Sequence, residues 1–112
     1  MKIASLSELI QYDDAKPVVS VLMETENSKE IRILLKRGQQ MKEHHTSFPI
    51  VVEIFEGHIE FGVNGEKHNL LKGDMIALEG GVPHDLIGLS DSIIRLSLSK
   101  KDRAERVKDL VD

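Results

Sequence analysis

The chain has 112 residues, 40% of them hydrophobic and 30% charged, with a net charge of -4. That is the size of one domain with an ordinary globular balance, and its scattered Lys and Arg exclude a nucleic-acid surface, which needs clustered basic residues. It has no cysteine, which excludes disulfides, thiolate metal sites and thiol nucleophiles.

No stretch approaches the ~18 consecutive apolar residues of a membrane span. The opening "MKIASLSELIQYDD" lacks the apolar run and cleavage pattern of a signal peptide, so a cytoplasmic protein is expected. Aromatic residues are few (Tyr12, Phe48, Phe55 and Phe61), so Ile, Leu, Val and Met must build the core.

In chain order, Ser5 and Glu8 have the spacing of a capping box, which predicts a short helix through about Gln11, ended before Pro17. "VVSVLME" (18–24) and "EIRILLK" (30–36) are rich in β-branched residues and read as strands around the polar turn "TENSK". "QQMKEHH" then leads into "IVVEIFE" (50–56), a strong strand ended by Gly57. "HIEFGV" (58–63) alternates as a strand should. Asn64-Gly65 is the best hairpin signal in the chain, and "EKHNLL" returns along it.

"KGD" (72–74) is a second turn before the short strand "MIAL", and "EGGVPHD" (79–85) is a glycine-rich loop entering "LIGL". "IIRLSLS" (93–99) is the last strand. In the tail, Ala104, Val107, Leu110 and Val111 share one face at helical spacing, which predicts a helix over about 100–111 with its charges in solvent. Many short strands punctuated by Gly and Asn-Gly turns imply one all-β sandwich or barrel spanning 1–112, with a core over about 30–99 and a short helix at each end.

Two spaced sets of residues stand out within that core. The first is Gly38-x5-His44-x-Thr46-x3-Ile50-x6-Gly57, and the second is Gly73-x5-Glu79-x-Gly81-x2-His84, with fifteen residues between Gly57 and Gly73. They resemble the two motifs of the cupin superfamily over roughly residues 30 to 99. The resemblance implies a cupin-type double-stranded β-helix, a jelly-roll barrel. It also implies a metal site of two histidines and a glutamate from the first motif and a histidine from the second.

Matched position by position, His44 and His84 stand at the first and last ligand positions. Thr46 stands at the second histidine and Ile50 at the glutamate, so two of four ligands are absent. Glu79 replaces the usual proline and Gly88 the frequent asparagine. A divalent ion such as Zn, Fe, Mn or Ni wants three or four N, O or S donors, and two imidazoles with a threonine hydroxyl make a poor shell. Strand side chains alternate, so Glu53 faces away if Ile50 faces inward, and His45 faces away from His44, unless a bulge near Pro49 shifts the register. His45, His58 and His68 are read as surface residues.

On this register Val52, Ile54, Ile76, Leu78 and Leu86 line the interior, with His44, Thr46, Ile50 and His84 at one end, an apolar pocket with a few polar groups. The alternative is an interior filled by side chains. The outward Val51, Glu53 and Phe55 need cover, and small cupins commonly pair, so a homodimer is expected.

The leading expectation for function is a small cupin that binds a small molecule without a strong metal site. A metal-dependent enzyme of dioxygenase or isomerase type is the alternative, with His44 and His84 on the ion and His45, Thr46 or Glu53 completing the shell. Metal-free acid–base chemistry by the two histidines is a third possibility. A sensory module is a fourth, although the chain has no room for a DNA-binding helix pair.

Overall fold

The computed structural model describes residues 1–100. Their strands run β1 (Val18–Glu24), β2 (Ser28–Leu35), β3 (Gln40–His44), β4 (Ile50–Glu56), β5 (His58–Val63), β6 (Glu66–Leu71), β7 (Met75–Leu78), β8 (His84–Gly88) and β9 (Ser92–Ser99). They form a five-stranded sheet, β1-β2-β9-β4-β7, and a four-stranded sheet, β3-β8-β5-β6, with every pairing antiparallel.

From β2 onward the chain passes back and forth between the sheets, so neighbours in space are remote in sequence: Ser28 pairs with Ser99. Gly38, Gly57, Gly73 and Gly81 lie in four of these crossings, each at positive φ. Gly57 shows why. Its φ is 101°, and a Cβ there would stand 2.6 Å from the Asp91 carbonyl oxygen and 2.7 Å from Ser92 Cα. No other residue type fits without moving backbone. The Asn64-Gly65 turn also has both residues at positive φ, 53° and 79°, and closes the β5–β6 hairpin with Val63 opposite Glu66.

Alternation places one face of each strand between the sheets. Ile31, Ile33 and Leu35 of β2 meet Ile50, Val52 and Ile54 of β4, Ile94, Leu96 and Leu98 of β9, and Ile59, Phe61 and Leu86 of the second sheet. Phe61, Ile54 and Ile59 are fully buried.

The terminal helices of the sequence reading need correction. Among the described residues there is no helix. The expected helix at Ser5–Gln11 begins as a cap, since Ser5 Oγ accepts the N–H groups of Ser7 (3.1 Å) and Glu8 (3.1 Å). It goes no further because Leu9 adopts φ 53°, and the Glu8 and Leu9 carbonyls accept from the Arg32 guanidinium instead. The segment is drawn across the outer face of the five-stranded sheet. The predicted helix over 100–111 falls, apart from Lys100, outside the described residues. No helix among the described residues is long and apolar enough to cross a membrane.

Candidate functional site

His44 and His84 face one another across the end of the four-stranded sheet. They are register partners in the β3–β8 pair, and their rings meet edge to face with centroids 4.2 Å apart. A bulge makes this possible. Met41 pairs with Leu86 and His44 with His84, so three steps along β3 match two along β8. In a plain strand residues 41 and 44 would face opposite sides. The extra residue turns both inward. The irregularity lies before His44 and not at Pro49.

Backbone carbonyls hold both rings. His44 Nδ1 lies 2.8 Å from the Lys42 carbonyl oxygen, and His84 Nδ1 lies 3.0 Å from that of Val82. A carbonyl only accepts, so Nδ1 carries the proton in each ring, and in the neutral tautomer the lone pair is at Nε2. Phe61 stacks on His84, with centroids 5.6 Å apart and planes 8° from parallel. His84 is 4% exposed, and His44 is half-buried nearer the mouth.

The loops on either side of the pair are tied together. The Gly81 N–H donates to the Thr46 carbonyl at 2.6 Å. Gly80 lies against the Ser47 carbonyl, where a Cβ would not fit. The buried Thr46 hydroxyl donates to the Phe48 carbonyl.

Between these groups is a cavity of about 20 Å³, lined by His44, Thr46, His84, Ile50, Val52 and Leu86 together with Met41, Phe61, Ile33, Ile94, Leu96 and Leu98. One water-sized sphere needs about 10–15 Å³, so the gap has room for about one small group. Ile54 is fully buried in the core away from the cavity, and Ile76 and Leu78 are half-buried against the core's edge. Sequence reasoning missed Met41 and Phe61. The alternation of "HIEFGV" places Phe61 beside Ile59 on the inward face, whereas nothing in "QMKEH" announces the bulge that brings in Met41.

The residues do not supply the shell of a divalent cupin metal. Among the described residues no group of three His, Cys, Asp or Glu side chains is placed to hold an ion. Ile50 presents an alkyl group to the cavity. Glu53 lies on the outer face with its carboxylate 2.8 Å from Arg95 Nε. His45 is exposed. His58 Nε2 lies 3.2 Å from Asn69 Oδ1, and His68 Nε2 lies 3.8 Å from Glu66, both on the second sheet.

No family model and no curated protein sequence matches the chain. Solved structures do. An RmlC-like cupin from Desulfovibrio desulfuricans superposes with a TM-score of 0.81 at 24% identity, over 88% of this chain and 96% of that one. A conserved Klebsiella pneumoniae protein with a double-stranded β-helix domain gives 0.76 at 22%, over 88% and 89%. A conserved Streptococcus pyogenes protein of unknown function gives 0.76 at 20%, over 91% and 90%. The chain therefore has the fold of a small cupin, an all-β double-stranded β-helix.

Proposed function

We propose that this cupin binds a small ligand at the His44/His84 end of its barrel and does not depend on a strongly held divalent metal. One observation carries the reading. A small, mostly apolar gap in the interior is bordered by two imidazoles whose orientation is set by backbone carbonyls and by the Phe61 stack. Pre-oriented polar groups in an apolar recess are the usual makings of a ligand site. The size of the gap sets the class. The ligand is very small, or it inserts one small group while the rest stays at the mouth between the loops around Thr46 and Gly81. The reading also takes the protein as a cytoplasmic homodimer. The exposed Met75 and Ala77 on the outer sheet face support pairing, and light scattering on a sizing column reports the mass.

The test has two arms. Metals are quantified in protein purified without tag or chelator, before and after incubation with Zn, Fe, Mn and Ni and desalting. In parallel, fragment-sized organic molecules are screened by NMR against the His84 and Phe61 ring signals. The expected result is no stoichiometric divalent ion and at least one fragment that shifts both rings. One divalent ion per chain, lost in both His44→Ala and His84→Ala, would overturn the proposal in favour of a metal-dependent enzyme.

A further inference from the structure

We infer that the open edge of β7 takes up an extended, basic peptide segment of another protein as an added strand. The inference is independent of the ligand site at the His44/His84 end.

Four strands form the edges of the two sheets, β1 and β7 in one and β3 and β6 in the other. A bare edge is a template for pairing, and proteins commonly blunt it with a bulge or with charges. β1 has a bulge between Val21 and Met23, and β3 has one between Met41 and His44. β6 begins with Glu66, Lys67 and His68, all exposed. β7 has neither device. It consists of Met75, Ile76, Ala77 and Leu78, and its register against β4 is regular throughout. Met75 is 58% exposed, and Ala77 is exposed as well.

The register decides which backbone groups are open. Across the Glu53–Met75 pair, the Ile54 N–H donates to the Asp74 carbonyl at 2.9 Å. That makes Glu53–Met75 the non-hydrogen-bonded pair of the ladder. The bonds to β4 then belong to Ile76 and Leu78, and Met75 and Ala77 turn their N–H and C=O groups outward. Main-chain bonds to such an edge give an added strand its affinity, and neighbouring pockets give it specificity. Beside this edge is an open groove of about 650 Å³ whose lining includes Pro49, Val51, Ala77, Leu78 and Glu79, with room for an apolar side chain. Pairing of two copies across the outer face uses side chains that stand out of the sheet, whereas the edge groups lie in its plane.

Charge selects the partner. Asp74 precedes the strand and Glu79 follows it, and neither has a cationic partner among the described residues. Lys72 is taken by Glu56 at 3.3 Å. Two β7 edges paired with each other, Met75 opposite Ala77, would set Asp74 beside the partner's Glu79, and like charges so placed repel. A segment with Lys or Arg at both ends and β-branched residues between them reverses the sign of that contact. Asp74 and Glu79 are separated by about 17 Å of strand, which asks for cations five positions apart.

The experiment titrates the isotope-labelled full chain with the hexapeptide KVTVTK, capped at both ends, and follows the backbone amides by NMR. The expected result is saturable shifts that are largest at Met75 and Ala77, weaken as salt is added, and are absent with EVTVTE. Ala77→Pro removes an outward N–H that the ladder does not use, and Glu79→Lys reverses an exposed charge. Affinity should fall at least about fivefold in the first and at least about threefold in the second. Glu79→Lys alters only the surface, so it reports even where Ala77→Pro does not fold. Shifts that avoid β7, equal affinity for EVTVTE, or unchanged affinity in a folded variant would each overturn the inference. So would concentration-dependent broadening of the Met75 and Ala77 amides without peptide, because a second copy would then hold the edge.

Discussion

Arg32 and Arg95 stand directly opposite one another in the β2–β9 register, on the outer face of the five-stranded sheet. Like charges so placed repel, and the fold neutralises them by different means. Arg95 reaches two carboxylates, Glu53 at 2.8 Å and Glu30 at 2.8 Å. Arg32, only 7% exposed, has no carboxylate partner among its described hydrogen bonds. It donates to the carbonyls of Glu8 (2.8 Å) and Leu9 (3.4 Å), and its Nε has no partner among the described residues. The N-terminal segment is thus held to the sheet partly by a cation.

Replacing Arg32 should free that segment more than it unfolds the barrel. A methionine of similar length removes an incompletely paired buried charge, a change that is often close to neutral, so Arg32→Met is expected to alter global stability by about 1 kcal/mol or less. Tyr12, the single tyrosine in a chain without tryptophan, reports the segment. Its phenol is raised above the usual range by burial and by Asp91 and Glu56, against a lowering by Arg32. With the segment still docked, loss of Arg32 would raise it further; with the segment released, it returns toward the ordinary value. Release is expected, seen by ultraviolet titration and by faster proteolysis before Pro17. A further rise would show that the segment stays down without Arg32.

Acid should act on Glu30. Burial pushes its carboxyl up, but hydrogen bonds from Ser97 and Ser28 and the charge and hydrogen bond of Arg95 outweigh burial and leave it below 4.5. A carboxyl lowered by folding stabilises the native state above its unfolded value, near 4.5, and that contribution is lost as the pH falls through the folded value. Glu30→Gln is expected to cost about 1–2 kcal/mol at pH 7, and the gap to wild type should close as the pH falls below about 4.5 and through the lowered folded value. Urea unfolding across that range measures it, and a gap independent of pH would refute the assignment.

Two glycines of the cupin-like frame should differ sharply. Gly38 has φ 89° with open space where a Cβ would be, whereas Gly57 has φ 101° and backbone atoms in that space. Gly38→Ala therefore pays backbone strain alone, about 1–2 kcal/mol, while Gly57→Ala adds a clash that must move Asp91 or Ser92 and should cost about 3 kcal/mol or more. Equal losses in urea midpoints would mean that Ser92 yields easily.

Much of this fold was legible because its strands obey simple rules. The ranges 18–24, 50–56, 58–63, 66–71 and 75–78 read from the sequence coincide with β1, β4, β5, β6 and β7. β-branched runs and alternation ended by Gly57, Asn64-Gly65 and Gly73 leave little freedom there. β3 escaped for a physical reason: Gln40–His44 offers one apolar residue, Met41, and its bulge breaks the period of two. The N-terminal helix was misread because the capping spacing at Ser5 and Glu8 is local, and a residue 24 positions away, Arg32, claimed the Glu8 carbonyl. At the site, the two histidines and Thr46 were legible from motif spacing. Met41 and the Phe61 stack depend on strand pairing that spacing does not encode.

The placement of β9 has a consequence for a chain emerging from the ribosome. β9 lies in the middle of its sheet, between β2 and β4, yet among the described strands it is the last to be synthesised. Until it arrives, β2 and β4 each carry an open backbone edge and the apolar rows Ile31, Ile33 and Val52, Ile54. Such edges invite pairing with other chains. These edges therefore stay open until β9 is released, and a truncation ahead of Ser92 should yield insoluble product and not a smaller barrel.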